Sequence, residues 1–227
     1  WILWVISHPE LVTEAEARAY DMVFVASQTW RLPGGVPSTP LLQATAPDRF
    51  SPDAAPPDSG AALLFVGSTR GQFRPAVRGT LASDRADELS VYGVGWEEFI
   101  DVGRISAEFL DNNHLPAAYA GAGIVLNDHH PEMAADGFLS NRLFDAVATG
   151  ARVVSDSAAG LEDIFGDAVV VFTDEDHLVN ILHAPVDDTF PSRDRRMETA
   201  RTIATEHSFD ARAGVFIESV REFKGVG

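Results

Sequence analysis

Residues 62–71 have the sequence ALLFVGSTRG, and this stretch decides the fold. The apolar run at residues 62–66 predicts a buried strand. The small and polar residues 67–71 predict a loop, and residues 74–82 predict a helix with Pro75 in its first turn, where proline is tolerated. A strand followed by a loop and a helix is the repeating unit of a parallel sheet that helices cover.

The same alternation continues on both sides of this unit. On the N-terminal side we predict strands at residues 2–7, 22–26 and 41–44, and a helix that Thr13 caps. On the C-terminal side we predict strands at residues 89–92, 105–109, 123–126 and 168–172 and one beginning at Val153, and helices from Asn112 or Asn113 to about residue 120 and at about 141–149, 191–207 and 209–223. The predicted fold class is therefore α/β, with a doubly wound parallel sheet in a three-layer α/β/α arrangement.

The composition changes between residues 46 and 60, which are rich in Pro, Asp and Ser. We interpret residues 47–60 as a linker, residues 1–46 as the end of one α/β domain, and residues 61–207 as a second domain. Because the first residues of the chain already form a predicted strand, we expect the chain to be a piece of a longer protein.

Charge and composition exclude several functions. Seventeen basic and 34 acidic side chains give a net charge of −17, so we expect no nucleic-acid partner. No apolar run approaches the roughly 18 residues that a membrane span needs, so we expect no transmembrane segment. The chain has no cysteine, which excludes disulfides and thiolate metal sites and is typical of a cytoplasmic protein.

The loop at residues 67–71 resembles a phosphate cradle. Gly67, Ser68 and Thr69 expose backbone N–H groups before a helix, and Arg70 and Arg74 add positive charge there. The alternative is an ordinary solvated helix face that carries arginines.

A second candidate is the segment GFLSNRLFDAVATG at residues 137–150. We expect Ser140 and Asn141 to cap a helix whose free N–H groups bind a phosphate, with Arg142 adding a cation. Asp145 lies one turn further on and is able to accept hydrogen bonds from ribose hydroxyls. The alternative for Asp145 is an exposed helical acid, and helix spacing alone favours that alternative.

Two histidine-containing segments also attract attention. Residues 127–132 have the sequence NDHHPE, but adjacent histidines point in different directions, so we expect no metal site and instead a polar loop that contacts the sugar or the acceptor. His8, at the end of the first strand, either faces a cleft and acts in catalysis or bonds to the local turn.

The order of these segments resembles the group 1, family 4-like glycosyltransferases of the GT-B fold, and within them the spore-maturation-type branch. The matching segments are residues 20–27 (YDMVFVAS), 42–52 (LQATAPDRFSP), 65–67 (FVG), 115–128 (LPAAYAGAGIVLND), 137–155 (GFLSNRLFDAVATGARVVS) and 206–209 (EHSF). Two departures stand out: Asp145 replaces the second glutamate of the family's acidic pair, and the first glutamate corresponds loosely to Asp136, with one residue more between them.

The resemblance implies two Rossmann-like domains, the second of which binds the donor, and a C-terminal helix at residues 208–227 that returns toward the first domain. It implies hexosyl transfer from a nucleotide-diphosphate sugar to an unknown glycan, lipid or protein acceptor, with retention, no metal ion and no cofactor. His8 and Arg70 are the catalytic candidates. The donor-binding candidates are Gly67, Ser68, Thr69, Arg70, Arg74, Gly93, Gly95, Trp96, Asn127, His129, Phe138, Ser140, Asn141, Arg142 and Asp145. The alternatives are a sugar-nucleotide epimerase of the same fold and a non-catalytic nucleotide-sugar-binding module.

Overall fold

The computed structural model describes residues 1–53 and 60–225, and within them the chain forms two parallel sheets. The first sheet has the strand order β1-β2-β3, and the second has the order β6-β5-β4-β7-β8-β9. The strands are β1 (Ile2–Val5), β2 (Met22–Val25), β3 (Thr39–Pro40), β4 (Leu63–Val66), β5 (Leu89–Tyr92), β6 (Ile105–Ala107), β7 (Ile124–Asn127), β8 (Val153–Asp156) and β9 (Val169–Phe172).

The order of the second sheet is that of the doubly wound dinucleotide-binding fold. Counted within that sheet alone, its strands lie in the order 3-2-1-4-5-6. The order in which the chain adds strands to the sheet therefore reverses between β4 and β7, although the two strands are parallel. All pairings in the sheet are parallel, and Leu63, Leu64 and Phe65 pair with Ile124, Val125 and Leu126. Ligands in such folds bind outside the carboxyl ends of the two strands at the reversal. The fold therefore directs attention to residues 67–71 and 128–130.

Ten helices connect and cover the strands in the described part of the chain. They are α1 (Glu14–Ala17), α2 (Pro75–Leu81), α3 (Leu115–Gly121), α4 (Pro131–Ala135), α5 (Asn141–Ala148), α6 (Leu161–Phe165), α7 (Glu175–His183), α8 (Val186–Thr189), α9 (Arg193–Glu206) and α10 (Phe209–Phe223).

Alternation along β4 shows how the second sheet buries both faces. Leu64 joins a core with Leu143 and Phe144 of α5, whereas Leu63 and Phe65 join a core with residues of α2 and α7 on the other face. Because consecutive side chains in a strand point to opposite faces, a strand buried on both sides is apolar throughout. This confirms the predicted α/β class and its three layers.

Helix α10 packs on the first sheet. The ring of Phe216 lies 5.5 Å from Trp4 and 4.7 Å from Phe24, both in edge-to-face contact. Close by, the buried guanidinium of Arg212 donates to the carbonyl oxygens of Leu42 at 2.8 Å and of Gln43 at 3.0 Å. The segment between the two sheets is therefore held by the start of the last helix.

The predicted strand at residues 41–44 is wrong. The third strand is β3, and Leu41, Leu42 and Ala44 are buried outside any strand. Leu42 belongs to the core formed with residues of β4, α3 and α5, and the backbone of Thr45 pairs with His207 and Phe209.

The other predicted strands and helices are present with shifted ends, whereas α4, α6, α7 and α8 were not predicted. Thr13 caps α1 by accepting the N–H of Glu16 at 3.1 Å, and Gly150, with a φ of 75°, follows the end of α5. The predicted cap of α3 at Asn112 or Asn113 is wrong, since α3 begins after His114. Residues 54–59 of the predicted linker lie outside the described residues.

Candidate functional site

A cavity of about 540 Å³ lies where the carboxyl ends of β1, β4 and β7 meet. Ten of the predicted site residues line it: Gly67, Ser68, Arg70, Arg74, His129, Phe138, Ser140, Asn141, Arg142 and Asp145. Six do not: His8, Thr69, Gly93, Gly95, Trp96 and Asn127. The structure thus brings together residues from segments that are far apart in the chain.

The segment at residues 93–96 supports the β4–α2 loop from behind, which corrects its predicted place beside the nucleotide. Trp96 is fully buried against Phe65, and its Nε1 donates to the carbonyl of Gly67 at 2.8 Å. A side chain at Gly93 would collide with that same carbonyl, and one at Gly95 would collide with the hydroxyl of Thr69. These glycines therefore permit the close approach of two loops.

Arg74 lines the cavity but is already paired with a carboxylate, and its contact with a phosphate stays a prediction. It forms a buried ion pair with Asp128 and also donates to the Asp128 carbonyl at 2.7 Å. The second carboxylate oxygen of Asp128 accepts the N–H of Ala76 at 2.9 Å, in the first turn of α2. Since a carboxylate already occupies the positive end of α2, this helix has little attraction left for an anionic ligand.

Arg142 borders the cavity and, like Arg70, has no carboxylate partner among the described residues. Its Nη1 donates to Oδ1 of Asn127 at 2.8 Å, and its guanidinium lies 4.8 Å from the centre of the Phe65 ring. In residues 1–53 and 60–225 no ion pair involves it. Burial lowers the pKa of Arg142 and raises that of the adjacent Tyr119 to about 12.

The N-terminus of α5 is arranged differently from the prediction. The side chain of Ser140 makes no cap hydrogen bond, and that of Asn141 donates instead to Oδ2 of Asp145 at 2.8 Å. The backbone N–H of Ser140 donates to Nε2 of His129 at 3.0 Å. The N–H groups of Asn141 and Arg142, which begin the helix, have no acceptor within it.

Asp145 lies at the cavity wall and is already engaged. Its Oδ1 accepts a hydrogen bond from the hydroxyl of Thr45 at 2.8 Å, and Thr45 belongs to the segment that joins the two sheets. Burial raises the pKa of Asp145 to about 7, against the hydrogen bonds from Thr45 and Asn141 and the charge of Arg49, which lower it. The group is therefore partly protonated near neutral pH.

His8 and Arg70 contact each other across the mouth of the cavity. Nη1 of Arg70 lies 3.1 Å from Nε2 of His8, while Nδ1 of His8 lies 2.9 Å from Oε1 of Glu10. Within the described residues, His8 and Arg70 are the only non-glycine residues with positive φ, at 53° and 50°. Such conformations cost of order 1–3 kcal/mol each and concentrate at functional sites.

Asp136 contributes its backbone and not its carboxylate. Its carbonyl accepts hydrogen bonds from the hydroxyls of Ser27 and Thr29, and nearby Phe138 packs edge-on against Trp30. Asp136 does not line the cavity, and its loose match to the family's first acid stays a prediction.

Tyr119 and His130 also line the cavity and were not among the candidate residues, although His130 belongs to the predicted polar loop at residues 127–132. Nε2 of His130 lies 3.3 Å from Nη1 of Arg74, and burial, followed by the charges of Arg74 and Arg70, lowers the pKa of this histidine. The HHP sequence contained the signal for His130, whereas Tyr119 is hidden in an apolar helix.

Two properties of the described residues limit the kinds of site present. No three His, Asp or Glu side chains in residues 1–53 and 60–225 gather in a way that would hold a metal ion. None of the helices described combines the length with the apolar composition that a membrane crossing requires.

Solved structures of other proteins share this architecture. Sucrose-phosphate synthase from Thermosynechococcus elongatus aligns with a TM-score of 0.66 and 15% identity, over 100% of this chain and 68% of that one. HepE from Anabaena, in complex with UDP and glucose, aligns with a TM-score of 0.69 and 10% identity, over 97% and 71%. A glycosyltransferase from Rickettsia africae aligns with a TM-score of 0.59 and 9% identity, over 93% and 68%. These likenesses confirm the GT-B fold.

Sequence comparison assigns the family. No curated protein matches the chain. Residues 73–218, which include β5 to β9 and the cavity residues that follow β7, match the model of the family described as glycosyl transferase-like. The chain therefore belongs to the glycosyl transferase-like family.

Proposed function

We propose that the chain transfers a hexosyl group from a nucleoside-diphosphate sugar, without a metal ion and with retention at the anomeric carbon. The observation that carries this proposal is the guanidinium of Arg142, which borders the cavity and has no carboxylate partner among the described residues. In a chain with a net charge of −17, a half-buried cation without a carboxylate partner indicates an anionic ligand. Membership of the family and the UDP and glucose bound to HepE support a nucleotide sugar as that ligand.

The start of α5 supplies further groups for the diphosphate. The N–H groups of Asn141 and Arg142 carry the partial positive charge of a helix N-terminus. Hydrogen bonds that involve a charged partner contribute about 1.5–3 kcal/mol each. Together with the guanidinium of Arg142, these donors favour a dianionic group over a neutral one.

The same groups would assist the chemical step. Negative charge grows on the diphosphate as the glycosidic bond breaks, and donors already in position stabilise that charge. Arg70 at the cavity mouth would add a second cation, and His8, whose Nε2 lies 3.1 Å from Nη1 of Arg70, stays the other catalytic candidate. Positive charge from Arg142 and Arg70 takes the place of a divalent ion, which is why the proposal includes no metal.

The remaining parts of the proposal rest on the family resemblance. We assign Asp145 to the ribose hydroxyls, because it borders the cavity one helical turn after Asn141. Retention of the anomeric configuration rests on the family resemblance alone. The acceptor would be a glycan, a lipid or a protein, and it would enter beside Ile6 and Ser7.

A sugar-nucleotide epimerase is less consistent with this cavity. Such an enzyme needs a free acid and base beside the sugar. Asp128 is paired with Arg74, and Asp145 is bonded to Thr45. These are the two carboxyl groups among the described cavity residues, and since Asp145 is assigned to the ribose, they leave no acid and base pair of carboxyl groups beside the sugar.

Binding and turnover together test the proposal. Calorimetric titration with UDP, GDP and TDP should show binding of at least one, and Arg142→Gln should raise its Kd by about 10- to 100-fold, or roughly 1.4–2.8 kcal/mol. Arg201→Gln, on the exposed face of α9, makes the same change of charge and should leave Kd unchanged. Circular dichroism should show that both variants fold.

The matching sugar nucleotide should then be hydrolysed slowly when no acceptor is present. Binding without any hydrolysis would instead favour a non-catalytic module. An Arg142→Gln variant that binds as tightly as the unchanged chain would refute the assignment of this site.

A further inference from the structure

Asp156 stands behind the cavity and touches none of it, yet two chains of hydrogen bonds lead from it to the groups that border the cavity. It is the last residue of β8, beside the carboxyl end of β7. Its side chain is 20% exposed, and its carboxylate accepts three hydrogen bonds. What these bonds hold is the start of α5 and the guanidinium of Arg142.

The first chain runs through His129. Oδ2 of Asp156 accepts the backbone N–H of His129 at 2.9 Å, and Oδ1 lies 2.6 Å from its Nδ1. On the far side of the ring, Nε2 accepts the N–H of Ser140 at 3.0 Å. A backbone N–H only donates, so Nε2 carries no proton, and the proton of the neutral ring is on Nδ1, facing Asp156. The carboxylate therefore selects the tautomer that anchors the start of α5.

The second chain runs through Ser155 and Asn127, both fully buried. Nη1 of Arg142 donates to Oδ1 of Asn127 at 2.8 Å, and Nδ2 of Asn127 donates to the hydroxyl of Ser155 at 2.8 Å. That hydroxyl donates to Oδ1 of Asp156 at 3.2 Å. Every donor in this chain points toward the carboxylate.

The direction of the second chain follows from its two ends. A guanidinium only donates and a carboxylate only accepts, so Asn127 must turn its oxygen toward Arg142 and its NH₂ toward Ser155. Linked hydrogen bonds that all run the same way strengthen one another. Removing the carboxylate of Asp156 weakens the hydrogen bonds that fix Ser155 and Asn127, and so the position of the Arg142 guanidinium.

We propose that Asp156 is a positioning residue for the diphosphate of the nucleotide sugar, acting through His129 on the N-terminus of α5 and through Ser155 and Asn127 on Arg142. The inference rests on the function proposed above and deepens it. One carboxylate holds both anion-binding groups in register, although it makes no contact with the ligand. A purely structural role would affect stability and leave ligand affinity alone.

Calorimetric titration with UDP, GDP and TDP tests this role. Asp156→Asn keeps the shape of the side chain but loses the charge and one acceptor, and should raise Kd about tenfold. Ser155→Ala interrupts only the chain to Arg142 and should raise Kd by about threefold to tenfold. Asp163→Asn, on the exposed side of α6, makes the same change of charge as the first variant and should leave Kd unchanged.

A spectroscopic measurement complements affinity. In the unchanged chain, NMR should show a ¹⁵N–¹⁵N coupling across the hydrogen bond from Ser140 to Nε2 of His129, and it should weaken in Asp156→Asn. If Asp156→Asn fails to fold, Ser155→Ala still decides the matter. The inference alone is refuted if the unchanged chain binds a nucleoside diphosphate and the folded variants bind it equally well. If the unchanged chain binds none of the three, the proposed function is refuted and takes this inference with it.

Discussion

Replacing Asp145 by asparagine should make the protein more stable at high pH. Asp145 is 9% exposed, and no cation pairs with it in the described part of the chain. Asparagine has the same shape and still accepts the Thr45 hydroxyl through its oxygen. The new NH₂ group of Asp145→Asn would face the side chain of Asn141, whose buried Oδ1 has no hydrogen-bond partner. If the Asn141 amide turns over, this oxygen accepts a hydrogen bond from the new NH₂ group.

The size of the effect follows from the pKa of Asp145. Burial raises this pKa from an ordinary 3.8 to about 7 in the folded state. Between these values the folded protein holds a proton that the unfolded chain has released, so stability falls as pH rises through this window. At 1.36 kcal/mol for each tenfold change in proton affinity, the loss amounts to roughly 4 kcal/mol above pH 7. The asparagine variant has no such loss.

Urea denaturation of both proteins from about pH 4 to about pH 8 measures this difference. The free energy of unfolding of Asp145→Asn, relative to the unchanged chain, should rise by roughly 4 kcal/mol across that range. Asp163→Asn, an exposed acid on α6, should show no such trend. A relative stability of Asp145→Asn that stays constant with pH would refute the reasoning, because it would mean that burial does not hold the proton.

Three further substitutions test the packing around the cavity. Arg74→Gln leaves Asp128 buried without its cation and should lower the free energy of unfolding by about 3–5 kcal/mol in urea, with partial recovery when Asp128→Asn is added. Gly93→Ala, at a φ of 148° and against the β4–α2 loop, should lower Tm, and an unchanged Tm would contradict this close approach. Phe216→Ala should lower the free energy of unfolding by about 2 kcal/mol, which is less than the same change at a fully buried phenylalanine because the ring is half-buried. Ile217→Ala, at an exposed position, should lower it by under about 0.5 kcal/mol.

Much of the fold was predictable because strands buried on both faces produce apolar runs. Residues 62–66, 89–92 and 168–172 each predicted a strand that the structure contains. The run at 41–44 shows how this signal misleads, since Leu42 is buried by other elements without joining a sheet. Short helices such as α4 and α6 were missed because a helix of five residues offers little periodicity.

For the site, the sequence identified segments better than roles. Residues 138–142 and Asp145 of the predicted segment border the cavity, and Arg142 has no carboxylate partner among the described residues. The helix pattern predicted caps at Ser140 and Asn141, but neither side chain caps the helix: Ser140 makes no side-chain cap hydrogen bond, and the Asn141 side chain donates to Asp145. The partner of the Ser140 N–H is His129, which lies in another segment and leaves no mark in the local pattern.

The sequence by itself determined the alternation of strands and helices, the loops at the carboxyl ends of the strands, and the overall negative charge. Only the tertiary structure decided which charged groups face the cavity unpaired. Asp128 neutralises Arg74 from 54 residues away, Thr45 holds Asp145 from 100 residues away, and His8 meets Arg70 across 62 residues. The physical reason is that secondary structure depends on neighbours within a few residues, whereas the charge of a site depends on contacts that exist only after the sheets have packed.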